Sequence, residues 1–123
     1  MNGTNLLLDT NIIIYYLHGD KTAFNLIANN TIFISVITEM ELLSFKNLTK
    51  EYEKTIDELL SVFTIIALED SIKSKAIQLR KKHNFKLPDA IIVASAIHLN
   101  CSFVSADKKL PDIDEISGVA FDI

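Results

Sequence analysis

The chain has 123 residues, a length typical of one domain, and we expect a single domain over residues 1–123. Its one cysteine, Cys101, excludes a disulfide framework and a multi-cysteine zinc site. Hydrophobic residues make up 49%, which excludes a disordered chain. A net charge of −4 argues against a nucleic-acid-binding protein, since these are usually basic. That argument no longer holds if four acids form one metal site, because the other 12 acids then equal the 12 bases.

The N-terminal residues carry no membrane or export signal that we recognise. No apolar run approaches the ~20 residues of a membrane span. No basic region precedes the short apolar run that starts at Leu6. We therefore expect a protein of the reducing cytoplasm.

The first half of the chain alternates short apolar runs with stretches of helical periodicity. Asp9 ends the first run, and Asp20 and Thr49 can each cap a helix. In chain order we predict a strand at 6–8, helices at 12–17 and 20–28, a strand at 32–34, and helices from 35 and from 49. The helix from Thr49 has an apolar face, which consists of Tyr52, Ile56, Leu59, Leu60 and Phe63.

The second half continues the alternation. We predict a strand at 63–68, a helix capped by Asp70, a helix from 87 to 99, a strand at 102–105 and a short strand at 119–121. The body of the helix from Leu87 is apolar almost all round, which indicates burial, and we expect His98 to be a core histidine within it.

This alternation predicts an α/β fold, a three-layer α/β/α sandwich around a short parallel sheet. In such folds, ligands bind beyond the carboxyl ends of the strands. Asp9 and Asp107 follow predicted strands, and Glu41 and Asp89 lie on helices that can reach the same edge.

Each of these acids also has a purely structural explanation. Asp9 can cap a helix, and Glu41 can complete a capping box with Thr38. Asp89 can stabilise a helix through its dipole, and Asp107 can be a turn residue. Taken singly, the structural explanation is favoured for each acid.

Taken together, the acids indicate a metal site. Asp89 leads a buried apolar helix, where a carboxylate is costly unless it is paired or bound to metal. Carboxylates that converge with no neighbouring lysine form an oxygen site suited to magnesium or manganese. Helix geometry leaves Glu39 and Glu41 open as alternatives, because they lie about 200° apart around the helix axis.

Four short motifs, in order, carry a resemblance to a known family. Residues 7–11, Leu-Leu-Asp-Thr-Asn, resemble the opening motif of PIN-domain ribonucleases. Residues 35–42 resemble the second motif, and this resemblance favours Glu41 over Glu39. Residues 86–92, Lys-Leu-Pro-Asp-Ala-Ile-Ile, resemble the third, and residues 104–107 the fourth.

The chain length and the third motif are similar to those of VapC-type toxins from toxin–antitoxin pairs. The resemblance implies metal-assisted hydrolysis of RNA with magnesium or manganese, leaving a 5′-phosphate and a 3′-hydroxyl. It also implies an antitoxin partner whose extended segment covers the acidic pocket, and a homodimer. The metal ligands and catalytic residues that it implies are Asp9, Glu41, Asp89 and Asp107, supported by the polar side chains of Asn11 and Ser105.

Two points stay open in this assignment. Asp112 competes with Asp107 as the fourth acid, since it lies nearby in the chain. Basic residues flank the third and fourth motifs and are candidates for holding RNA phosphates, although a helix C-terminus also favours cations. These candidates are Arg80, Lys81, Lys82, Lys86, Lys108 and Lys109.

Two other functions fit parts of the pattern. A receiver-like signalling module shares the size and the alternation, but it needs adjacent acids after the first strand, and Asp9 has no acidic neighbour. A non-catalytic PIN scaffold that only binds RNA or protein remains an alternative, although the intact acids count against it.

Overall fold

A parallel sheet runs through the middle of the molecule, in a computed structural model that describes residues 3–116 and 118–120. Its strands are β1 (Asn5–Leu8), β2 (Thr31–Ser35), β3 (Thr64–Ile66), β4 (Ser102–Ser105) and β5 (Gly118–Ala120). They lie in the order β3-β2-β1-β4-β5, and every neighbouring pair is parallel. The short strand predicted at 119–121 is found as β5, and its last residue, Phe121, lies outside the described residues.

Helices connect the strands nearly where the sequence predicts them. They are α1 (Thr10–Leu17), α2 (Lys21–Ala28), α3 (Val36–Leu43), α4 (Lys50–Val62), α5 (Asp70–His83) and α6 (Leu87–Leu99). Asp20 and Thr49 cap α2 and α4 through their side chains, as predicted. Asp70 is the first residue of α5 and not its cap, because the extended backbone before the helix falls at Glu69.

Both faces of the sheet are covered, which confirms the three-layer α/β/α prediction. Successive side chains of a strand point to opposite faces. Leu6 and Leu8 of β1 therefore pack in a core with residues of α1, α2 and α4. Leu7 points to the other face and packs in a second core with residues of α5 and α6.

Two side chains lie elsewhere than predicted. α6 is buried along most of its length, but His98 in its last turn has 36% of its side chain exposed, so the core-histidine prediction is wrong. α6 runs back along α5, which places His98 beside Glu69 and Ser71 at the start of that helix. Tyr52 of α4 is 42% exposed, although it belongs to the apolar face predicted for this helix.

The order of the strands reverses beside β1. The chain builds β1, β2 and β3 in one direction and then crosses to place β4 on the other side of β1. In open parallel sheets, such a reversal leaves a crevice at the carboxyl ends of the two strands that flank it. Asp9 directly follows β1, and Ser105 is the last residue of β4.

No helix among residues 3–116 and 118–120 is long and apolar enough to cross a membrane.

Candidate active site at the carboxyl edge of the sheet

Asp9 lies at the crevice and is only 6% exposed. It is the N-cap of α1, and its Oδ1 accepts a hydrogen bond from the Thr10 backbone N–H at 2.8 Å. Its Oδ2 accepts a hydrogen bond from Ser105 Oγ at 2.6 Å, and Asn11 Nδ2 lies 3.4 Å away. Helix capping thus explains the hydrogen bond to Oδ1. It does not explain why Ser105 and Asn11 lie at Oδ2.

Ser105 and Asn11 also tie the ends of β1 and β4 together. The buried Ser105 hydroxyl accepts a hydrogen bond from the Asp107 backbone N–H at 3.0 Å. Asn11 Oδ1 accepts one from the Ala106 backbone N–H at 3.2 Å. The structure therefore brings both predicted supporting residues to the Asp9 carboxylate and to the loop that follows β4.

Glu41 reaches the same edge from the last turn of α3. Its Oε1 lies 2.5 Å from Thr10 Oγ1, which also lies 3.0 Å from Thr38 Oγ1. A hydroxyl has one proton and a carboxylate can only accept, so Thr10 donates to Glu41 and Thr38 is left to donate to Thr10. The capping-box alternative for Thr38 and Glu41 is wrong, because Ser35 is the N-cap of α3.

Thr10 and Thr38 are functional-site neighbours that sequence reasoning did not identify. The available signals were the position of Thr10 directly after Asp9, and the three-residue spacing from Thr38 to Glu41, which places them on one helix face. Neither signal shows that α1 and α3 meet, so the pairing was visible only in the structure.

Asp89 lies half-buried in the first turn of α6. Burial raises the pKa of this carboxyl above its ordinary value of 3.8, and the charges of Asp107 and Glu41 raise it further. Lys86, three residues earlier, lowers it. The expectation that no lysine neighbours the acids is therefore wrong, because the turn before α6 brings Lys86 close to Asp89.

Charges among the four predicted acids act on Asp9 and on Asp89. Burial raises the pKa of Asp9 to about 6, hydrogen bonds from Ser105 and Thr10 oppose the rise, and the charges of Asp89 and Glu41 add to it. Glu39 is not among the charges that act on Asp9 or Asp89. We call Asp9, Glu41, Asp89 and Asp107 the acidic group.

Asp107 is the most exposed member of this group, and it is also a turn residue. Its Oδ1 accepts a hydrogen bond from the Lys109 backbone N–H at 3.1 Å, and its carbonyl accepts one from the Leu110 N–H at 3.2 Å. Its charge still contributes to the raised pKa of Asp89, whereas Asp112 is not among the causes of that shift. The charge of Asp107 therefore acts on another member of the group, and an action of the Asp112 charge on Asp89 is not found.

The acidic group has the donor chemistry of a hard divalent cation, since it offers carboxylate oxygens and no histidine or cysteine. Mutual repulsion among its members is the interaction that such a cation relieves. Within the part of the chain that the structure describes, however, no three acidic, histidine or cysteine side chains are already arranged to hold a metal ion. The carboxylates are near neighbours without forming a finished set of ligands.

A cavity of about 530 Å³ lies beside Asp89. One wall, from the end of α5 to the start of α6, includes Lys86 and Asp89, and the other, from the loop after β4, includes Asp107 and Lys109. We call this the nucleotide-sized cavity. The rest of its lining consists of His83, Asn84, Phe85, Leu110, Asp112 and Ile113.

The predicted RNA-binding cations do not all reach this cavity. Lys86 lines it, and so does Lys109, whereas Lys108 is not part of the lining. Arg80 and Lys81 lie in the last turn of α5, where cations offset the helix dipole. Arg80 Nε also donates a hydrogen bond to the Phe85 carbonyl at 3.2 Å. Lys82 Nζ lies 3.3 Å from Glu115 Oε2.

The comparison with protein families gives one result that covers nearly the whole chain. The model of the PIN domain matches residues 6–116, a range that contains all four members of the acidic group. The chain belongs to the PIN-domain family. The resemblance of the four motifs is confirmed by this match, and the receiver-like alternative is wrong.

Solved structures of similar fold agree with the PIN domain. A chain of a toxin–antitoxin complex from Klebsiella pneumoniae has a TM-score of 0.83 and 30% identity, over 96% of this chain and 99% of that one. A chain of VapBC2 from Rickettsia felis, bound to a promoter DNA fragment, has a TM-score of 0.80 and 24% identity, and the match covers 96% of this chain and 99% of that one. A chain of DNA-bound VapBC from Salmonella typhimurium has a TM-score of 0.78 and 21% identity, and the match covers 98% of each chain. No curated protein matches the chain.

Proposed function

We propose that this PIN domain is a metal-dependent endoribonuclease that hydrolyses RNA phosphodiester bonds and acts as the toxin of a toxin–antitoxin pair. The observation that carries the proposal is the acidic group. Four carboxylates from separate parts of the chain lie at the edge where the strand order reverses, and the pKa values of Asp9 and Asp89 are raised by burial and by the charges of neighbouring acids.

Asp9, Glu41, Asp89 and Asp107 would hold one or two magnesium or manganese ions. When bound, such an ion activates water, binds the phosphate and shields the leaving oxygen. The cut would leave a 5′-phosphate and a 3′-hydroxyl.

The surrounding side chains position these carboxylates. Ser105 and Asn11 fix the Asp9 carboxylate between β1 and β4, and Thr10 fixes the Glu41 carboxylate. Because each donor belongs to a helix or a strand end, the Asp9 and Glu41 carboxylates are oriented before substrate binds, which is what positioning a reacting phosphate requires.

The proposed partner is an antitoxin protein. Support comes from the toxin–antitoxin complex from Klebsiella pneumoniae, to which the chain is similar at 30% identity over almost the full length of both chains. An antitoxin segment with a basic side chain over the acidic group would offset its negative charge. We further propose a homodimer, one domain over residues 1–123, and action in the cytoplasm.

The proposal is tested by incubating purified protein with single-stranded RNA in magnesium, in manganese and in EDTA. We expect cleavage with either ion and none in EDTA, and the products should carry 5′-phosphates. Asp89→Asn should abolish cleavage, whereas Asp57→Asn, on the exposed side of α4, should not. RNA binding without cleavage in any ion would identify the non-catalytic scaffold, and equal cleavage in EDTA would exclude a metal mechanism.

Toxicity is a separate expectation. Expression of the wild-type protein in cells without an antitoxin should arrest growth, and Asp89→Asn should be tolerated at the same level. Harmless expression of a wild-type protein that cleaves RNA in vitro would contradict the toxin assignment and leave the nuclease assignment standing.

A further inference from the structure

We propose that the nucleotide-sized cavity binds one nucleotide of single-stranded RNA, directly beside the phosphate that is cut. In this inference, Lys86 and Lys109 hold a flanking phosphate. The aromatic wall formed by His83 and Phe85 contacts the base. The inference rests on the proposed ribonuclease function, and it adds the part of the site that selects an unpaired nucleotide.

The cavity is continuous with the acidic group, because both contain Asp89 and Asp107. A phosphodiester bound at these carboxylates would therefore have its neighbouring nucleotide at the cavity. Its volume of about 530 Å³ falls within the range of small-ligand sites.

The lining comes from two parts of the chain, and each part contributes one lysine. Lys86 is the N-cap residue of α6, on the short turn that follows Asn84, whose backbone is left-handed at φ 56. Lys109 lies in the loop after β4, two residues beyond Asp107, which accepts a hydrogen bond from its backbone N–H. Each lysine thus lies beside one acid of the cavity lining.

The aromatic part of the wall suits a base. The rings of His83 and Phe85 stack with their centroids 5.3 Å apart and their planes 21° from parallel. Stacking on an aromatic side chain binds any unpaired base through its flat face. A base within a duplex cannot enter such a cavity, because it is stacked and paired, so the geometry favours single strands.

Glu115 fastens the two walls to each other. Its carboxylate lies 2.9 and 3.1 Å from His83 Nε2 and 3.3 Å from Lys82 Nζ, which joins the loop after β4 to the end of α5. Leu110 in the same loop is buried in the second core. The width of the cavity is therefore set by contacts within the protein before RNA binds.

The test measures RNA binding without cleavage. Fluorescence anisotropy in EDTA gives the affinity for a labelled single-stranded RNA at salt concentrations from about 50 to 200 mM. An RNA of about 8 nucleotides is long enough to fill the cavity and extend on both sides of it. The variants are Lys86→Gln and Lys109→Gln. The matched control is Lys54→Gln, which removes an exposed lysine of α4, on the opposite face of the sheet.

We expect each cavity variant to weaken binding roughly tenfold at the lowest salt and to reduce the slope of log affinity against log salt by about 0.7, the value of one lost phosphate contact on a single strand. Lys54→Gln should do neither. Phe85→Leu, which keeps an apolar side chain against the core, should weaken binding with no change in slope. Duplex RNA of the same sequence should bind less tightly than the single strand.

The proposal is overturned if the cavity variants bind like Lys54→Gln, if duplex and single strand bind equally, or if the wild type shows no binding at the lowest salt. Melting temperatures of all variants establish that they are folded. Because the assay needs no cleavage, it tests nucleotide binding separately from the ribonuclease function. RNA that binds through the cavity but is never cut would contradict the ribonuclease function and leave the nucleotide site standing.

Discussion

The side-chain hydroxyl of Thr10 lies 2.5 Å from Oε1 of Glu41 and so joins the first turn of α1 to the last turn of α3. Thr10 is also the residue whose backbone N–H binds the Asp9 carboxylate. One residue therefore contacts two members of the acidic group, through its main chain and its side chain respectively.

This double contact predicts that Thr10 positions Glu41. Thr10→Val keeps the shape of the side chain but leaves the Glu41 carboxylate without its donor. We expect a loss of about 1 to 3 kcal/mol in the free energy of unfolding and a weaker manganese affinity. Thr10→Ser should restore both, because it keeps the hydroxyl. Urea unfolding and calorimetric manganese titration provide the measurements, and manganese affinity that is equal in the valine and serine variants would show a purely structural role.

A second prediction links metal binding to thermal stability. An ion that binds only the folded protein stabilises it by about 2.7 kcal/mol at a hundredfold excess over Kd, which is several degrees in Tm for a domain of this size. Asp89→Asn should raise the Tm in EDTA, since one repelling charge is gone, and should shrink the rise that manganese produces. Glu39→Gln should behave as wild type. Thermal melts in EDTA and in excess manganese test this, and a wild type that is indifferent to manganese would refute the metal site.

The raised pKa of Asp9 predicts how stability depends on pH. Its pKa is about 6 in the folded protein, and its ordinary value of 3.8 applies to the unfolded chain. At a pH between these two values, the folded protein keeps a proton that the unfolded chain has released. The free energy of unfolding of the metal-free protein should therefore fall as pH rises from about 4 to 6, by up to about 3 kcal/mol from this group.

Asp9→Asn should remove this contribution, because an asparagine does not titrate and still caps a helix. The measurement is urea unfolding at several pH values in EDTA, taken as the difference between wild type and variant so that other acids cancel. A difference that does not change between pH 4 and 7 would contradict the raised pKa.

A fourth prediction separates Asp107 from Asp112. Asp107→Asn should reduce both RNA cleavage and manganese affinity, because its charge acts on Asp89. Asp112→Asn, which removes a charge from the same cavity wall, should change them much less. Cleavage rates and manganese titrations of the two variants decide the matter, and the opposite order of effects would assign Asp112 as the fourth acid.

Local signals in the sequence were enough for most of the fold. Asp20 and Thr49 predicted helix starts correctly because capping depends on residues two or three positions apart. The alternation of strands and helices predicted a parallel sheet, and with it one edge where Asp9 and Asp107 would meet. The same reasoning placed Asp89 on a helix that can reach this edge, and the motif resemblance then decided for Glu41 over Glu39.

The relationships that sequence reasoning missed all join distant segments. The contact of Thr10 with Glu41 depends on how α1 packs beside α3. His98 is exposed because α6 extends to the start of α5, a matter of helix length and packing. Whether Lys108 or Lys109 lines the cavity depends on the turn that Asp107 forms, which single-residue preferences do not specify.

The hydrogen bond from Ser105 to Asp9 has a consequence for the protein while it is being made. The two residues are 96 positions apart, and a ribosome synthesises β1 long before β4. Since domains fold during synthesis only once their later segments have emerged, the Asp9 carboxylate gains this partner near the end of translation. A chain that stops before β4 therefore lacks both Ser105 and Asp107, so the candidate site is completed only by the last fifth of the sequence.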